Sequence, residues 1–239
     1  MKKSIRLYLQ HPDPKQRFSW YCLQLGLFIF PFFPSLGAVG LFLSALITCV
    51  REYRQILKRP LCRGFIFLSL LLIITVGFAE DKLTAFLGLF NLLPFFLLFA
   101  GWNHLIQTMA QLKRISWILT INSLPVVFIG MGQLFLGWNT SGLTSSIFGW
   151  TLAAGGNPPN RMASVFMYAN TLAGYLAIVF ILCLGLWLHE WQKFTTRKQV
   201  GLFSPSPPLL FLSLAAITNF AGLILTNSRK AWVISLVAC

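Results

Sequence analysis

The chain has 239 residues, of which 56% are hydrophobic and only 10% charged, with a mean hydropathy of +0.73. A soluble domain of this length carries more charge on its surface, so the composition excludes one and points to an all-α, polytopic transmembrane helical bundle. The net charge of +14 is not a nucleic-acid footprint, which would need a basic face on a soluble domain.

Residues 1–17, MKKSIRLYLQHPDPKQR, form a basic N-terminus too polar to insert, and residues 18–239 form the membrane domain. No small-residue cleavage site follows the first apolar run, so that run reads as a retained helix and not a signal peptide. The run covers 18–50. As one helix it would be ~50 Å long, so it is expected to be two short helices broken near Pro31, Pro34 and Gly37. GFIFLSLLLIITVGFA (64–79) is the third helix and ends at Glu80–Asp81. LTAFLGLFNLLPFFLLFAG (83–101) is the fourth, and the fifth, 115–138, carries Pro125 as an expected kink. A weakly apolar loop then leads to RMASVFMYANTLAGYL (161–176), which is expected to open the sixth helix. HEWQKFTTRKQVGLFSPSPP reads as a basic, Pro-rich connector. Helix seven is 209–226, closed by NSRK. The last nine residues, AWVISLVAC, would span only ~13.5 Å as helix. The chain is therefore expected to stop inside an eighth helix, as an N-terminal fragment or a truncated product.

Charge sets the orientation. With the N-terminus in the cytoplasm, the inner segments hold Lys2, Lys3, Arg6, Lys15 and Arg17, then Arg51, Arg54, Lys58, Arg59 and Arg63, then Lys113 and Arg114, then Lys193, Arg197 and Lys198. That is 15 of the 19 basic residues, as the positive-inside rule requires. The outer side keeps Lys82, Arg161, Arg229 and Lys230. Glu80 and Asp81 read as a solvated turn before they read as a general base. His11, His104 and His189 fall on the inner side. No Cys/His cluster has metal-ligand spacing, so neither a metal nor a cofactor is expected. Cys22, Cys49, Cys62 and Cys183 lie in helices or on the inner side, and no structural disulfide is expected.

Two outward arginines each open a helix in a chain that otherwise keeps its charge inside. A guanidinium fork grips a phosphate or carboxylate bidentately, which points to an anionic ligand at the outer leaflet. The other reading of each arginine is snorkelling to lipid phosphates. Asn170, Ala173, Gly174 and Ala177 have i, i+3, i+4, i+7 spacing, so Asn170 reads either as a helix-packing residue or as a residue lining the site. Asn219 and Gly222 form a second such stripe.

RMASVFMYANTLAGYL resembles the first signature of the O-antigen ligase/polymerase superfamily: an outward Arg, a Phe, an Asn and a small-rich helix, here Arg161, Phe166, Asn170 and Ala173–Gly174. LTNSRKAW resembles its second signature, Thr-x-Ser-Arg, here Thr226, Ser228 and Arg229. Val165 and Ala169 depart mildly from the pattern. The resemblance implies a multi-pass protein of a bacterial plasma membrane. It implies glycosyl transfer from a polyprenyl-diphosphate-linked glycan in cell-surface polysaccharide synthesis, with membrane lipids around it and no metal. Arg161 and Arg229 would hold the diphosphate, and Asn170 and Ser228 would line the site. The family's catalytic histidine belongs to a large outward loop that this chain lacks. No catalytic residue is therefore assigned, and the chain is expected to bind donor and turn it over poorly. Some members are described as inorganic-carbon transporters, so the alternative is transport of bicarbonate or another small anion. A third reading is an inert membrane remnant.

Overall fold

The structure, a computed structural model, describes residues 11–140, 142, 145, 149–199 and 206–237. Lys2, Lys3, Arg6 and Cys239, and most of the N-terminal segment, lie outside the described residues; the side chains of Arg197 and Lys198 are not described either. The chain forms two compact units: 1–27 with 36–112, and 28–35 with 113–239. It is an all-α bundle with no strand among the described residues. Among the described residues, six helical stretches are long and apolar enough to cross a bilayer, which makes it a multi-pass membrane protein.

The first unit begins with a 3-10 turn, Pro14–Gln16, which Asp13 caps by accepting from Lys15 N. Helix α1 (Arg17–Ile29) has 13 residues, about 20 Å of rise, and is the one expected helix too short to span alone. The chain turns at 30–33, and Pro34 opens α2 (Pro34–Arg51) at its first position, where the missing N–H costs no hydrogen bond. Gly37, expected in the break, lies inside α2 and is buried. A short helix, α3 (Tyr53–Lys58), lies before α4 (Pro60–Gly77).

The expected fourth helix is divided into α5 (Lys82–Leu89) and α6 (Leu93–Leu105), which together make one span of 24 residues. Asp81 caps α5, accepting from Leu83 N and Thr84 N at 3.1 Å each and from the Thr84 hydroxyl. Those bonds hold its carboxyl below the ordinary carboxylate range, the Thr84 hydroxyl above all. Asp81 is thus a cap, and its lone pairs are committed to α5 and not to a substrate. Helices approach closely where a side chain would intervene. A Cβ on Gly101 would stand 2.8 Å from Ala45 Cα, and one on Gly40 would stand 3.2 Å from Gly26 Cα.

The second unit is built on α7 (Met109–Phe135), mostly within it, with α8 (Ala169–Gln199), α9 (Pro207–Leu225) and α10 (Arg229–Val237). Pro125 lies inside α7 without ending it. Two expectations are corrected here. The stretch from 189 is not a connector: α8 runs on through it to Gln199, with Trp187 stacked on Trp191 at 5.2 Å. Arg161 does not open a helix either. α8 starts at Ala169, and 161–168 is an ordered loop.

That loop is part of the core. Met162 is fully buried, and with Val126, Val127, Leu172, Leu176 and Leu223 it fills the space between α7, α8 and α9. It fits because the facing residues are glycines: a Cβ on Gly130 would meet Met162 Sδ at 2.6 Å, and one on Gly222 would meet Met162 Cε at 3.3 Å.

Candidate functional site

The loop that carries Arg161 is closed on itself by backbone hydrogen bonds. Asn160 N donates to Gly155 O at 2.8 Å, and Asn157 N donates to Arg161 O at 3.1 Å. Gly156 and Arg161 form an isolated parallel bridge. Gly156 sits at φ +95, and a Cβ there would fall 2.1 Å from Arg161 O, so this position needs glycine for both its conformation and its space. Asn160 and Ser164 also take left-handed backbone, at φ 63 and φ 54.

α7 holds this loop through Gln133, which is fully buried. Gln133 Oε1 accepts from Ala163 N at 3.1 Å and Ser164 N at 2.7 Å, while its Nε2 donates to Ala153 O at 3.0 Å. Its backbone carbonyl accepts from Gly155 N at 3.1 Å. One side chain therefore clasps both ends of the segment between Ala153 and Ser164. The Ser164 hydroxyl adds a bond to Val126 O. On the helix side, Ala169 N donates to Asn157 O and Asn157 Nδ2 donates to Met167 O at 2.7 Å. α8 therefore begins from a backbone that is already pinned.

Arg161 leaves this frame half-buried, and its guanidinium is aimed by two acceptors. Nε donates to Thr226 O at 2.8 Å, and Nη2 donates to Asn170 Oδ1 at 2.7 Å. Next to it, Met162 N donates to Leu225 O at 3.0 Å. The two sequence signatures are thus brought together at the C-terminus of α9. Thr226 is the C-cap of α9, Asn227 follows at φ 49, and Ser228 leads into α10. Arg229 and Lys230 stand exposed in the first turn of α10.

Asn170 is corrected in one respect. It is exposed and bonded to Arg161, whereas Ala173 and Ala177 of the same stripe are buried and Gly174 faces open space. Its side-chain partner is the Arg161 guanidinium and not a packed helix. Ser228 is buried, and its carbonyl accepts from Trp232 N at 3.1 Å to start α10. Asn219 is fully buried and donates to Ala215 O at 2.8 Å within its own helix.

The electrostatics are one-sided. Arg161, Arg229 and Lys230 gather at this end, and the one carboxylate of the second unit is Glu190. Glu190 pairs with Lys193 and lies 20 residues along α8 from Asn170, about 30 Å away. After bonding Thr226 and Asn170, the Arg161 fork keeps its Nη1 group, and Arg229 has no hydrogen-bond or ion-pair partner among the described residues. The arrangement can hold an anion with two guanidinium groups, one fixed and one free to close.

None of the described histidines is here. His11 contacts Leu105 O, His104 contacts Arg59, and His189 contacts Lys113 at 2.8 Å. No group of residues able to hold a metal is found among the described residues. Gln133, Asn157 and Thr226 build the site, and their roles were not foreseen. A glutamine near the end of a membrane span is a signal for the first of them, one it shares with Thr120, Asn122 and Ser123 of the same helix. No protein-family model, curated protein or solved structure matches the chain.

Proposed function

We propose that the chain is the donor-holding part of a membrane glycosyltransferase of the O-antigen ligase/polymerase type, acting in a bacterial plasma membrane. Its ligand is a polyprenyl-diphosphate-linked glycan at the outer leaflet. One observation carries the reading. Arg161 is locked by Thr226 O and Asn170 Oδ1 next to the chain that delivers Arg229, at an end of the unit with no carboxylate of its own. A diphosphate brings the missing negative charge, and its polyprenyl chain is soluble in the surrounding lipid. In glycosyl transfer the diphosphate gains charge as it leaves the sugar. Guanidinium groups already fixed in place stabilise that charge without reorganising. Transport of a small anion would call for charges along a path at mid-membrane. The charged residues of this chain lie at the ends of the spans.

The test is binding of undecaprenyl diphosphate to the purified chain in nanodiscs, with undecaprenyl monophosphate as comparison. Preference for the diphosphate is expected. Arg161→Ala and Arg229→Ala should each weaken it by about tenfold or more, the loss of one charge-assisted contact. Equal affinity for both lipids, or unchanged binding in both variants, would overturn the proposal. Arginine-dependent bicarbonate uptake by reconstituted protein would favour transport instead.

A further inference from the structure

We propose that the first unit carries a binding site for one anionic phospholipid, with an acyl chain in the groove between α4 and α6 and the phosphate against Lys58 and Arg63. The groove has a volume of about 350 Å³ and is apolar almost throughout. Cys62, Phe65, Ile66 and Ser69 form one wall at i, i+3, i+4, i+7 spacing, a single face of α4. Phe96 and Ala100 of α6 form the other wall. The walls are fixed against one another: Phe65 stacks on Phe96 at 4.9 Å and meets Phe99 edge-on at 5.2 Å.

Ile56 of α3 and Cys62 in the first turn of α4 line the groove. This is the basic end of the unit. Residues 13–63 hold seven basic residues against two acids. Three of the seven side chains, other than Lys58 and Arg63, are already bonded. Arg59 donates to Asn103 O at 2.9 Å and contacts His104 Nδ1 at 3.3 Å; Arg51 bonds Lys15 O; Arg54 bonds the Tyr53 hydroxyl. Glu52 is engaged by Gln16 and Gln55, and Asp13 caps the first turn.

Of the seven, Lys58 and Arg63 are the nearest in sequence to the groove-lining Ile56 and Cys62. Lys58 is exposed with no hydrogen-bond or ion-pair partner among the described residues. Arg63 follows Cys62 directly, and its Nε donates to Leu57 O at 3.0 Å, which leaves the guanidinium's two terminal amino groups unspent. Two exposed cations therefore lie within two residues of Ile56 and Cys62, which line the apolar groove. An anionic phospholipid matches both parts. A second copy of this chain does not, because it would set one basic end against another.

The test is native mass spectrometry of the purified chain with equal amounts of phosphatidylglycerol and phosphatidylcholine of the same acyl length. The intact chain should retain one phosphatidylglycerol in roughly tenfold preference over phosphatidylcholine. Lys58→Ala with Arg63→Ala, both on exposed side chains, should bring the two lipids to near parity. Ser69→Trp, which fills the groove, should lower retention of both. Equal retention of the two lipids by the unaltered chain would overturn the proposal, as would a preference that survives the double substitution or a lipid-free dimer.

Discussion

The Gln133 side chain accepts hydrogen bonds from the N–H groups of Ala163 and Ser164 and donates one to Ala153 O, all within the core of the second unit. Gln133→Leu keeps the volume and removes all three bonds. Each buried backbone group left unsatisfied costs about 1–3 kcal/mol, so a loss of roughly 3 kcal/mol or more is expected. Thermal unfolding in detergent measures it. The same variant should weaken diphosphate binding, because Arg161 lies on the clasped segment. If Gln133→Leu unfolds at the temperature of the unaltered chain, the clasp is not holding the loop. The two arginines were legible because each breaks the charge asymmetry of the chain. The glutamine was not, since α7 also carries Thr120, Asn122 and Ser123, and a polar residue in a span reads the same whether it grips a loop, packs on a helix or faces a cavity. Nor could spacing alone show that the ten residues from Arg161 to Asn170 form a turn that returns the two side chains to 2.7 Å.

At the scale of elements, periodicity and apolar length located the helices but misplaced several ends. The Pro-led starts of α2, α4 and α9 follow from a residue that has no N–H to lose in the first turn. The start of α8 does not, because it depends on Asn157 and Gln133 capturing backbone that would otherwise join the helix. An apolar stretch such as 161–176 looks helical until such partners are known. The close crossing around α9 gives a test at this scale. A Cβ at Gly222 would stand 2.9 Å from Val127 Cγ2 and 3.1 Å from Leu176 Cδ1. Gly222→Leu should therefore destabilise the second unit by about 1–3 kcal/mol or more, the usual cost of overpacking. Gly64→Leu, at a glycine with nothing within 4 Å, is the matched control and should be near neutral. Equal midpoints for the two variants in thermal unfolding would remove the close approach at Gly222.

For the whole molecule the argument concerns sides of the membrane, and each unit bears on it separately. In the first unit the basic segments share one end: Arg59 reaches Asn103 and His104, and Arg51 reaches Lys15. Glu80 and Asp81 follow α4 at its far terminus. In the second unit Lys113 meets His189 beside the Lys193–Glu190 pair, while Arg161 lies at the Thr226 end of α9. The positive-inside rule assigns the basic ends to the cytoplasm, since lysine and arginine near span ends are retained there. Single cysteines placed in a background with Cys22, Cys49, Cys62, Cys183 and Cys239 replaced test the assignment in intact cells. A membrane-impermeant maleimide should label Lys82→Cys and Asn160→Cys directly, and Lys193→Cys only after permeabilisation. Asn160 precedes Arg161, so its labelling also decides which leaflet the candidate site faces. Direct labelling of Lys193→Cys with protection of Asn160→Cys would turn the molecule over. Arg161 and Arg229 would then face the cytoplasm, where a phosphate ligand could still bind but outer-leaflet glycan transfer could not occur.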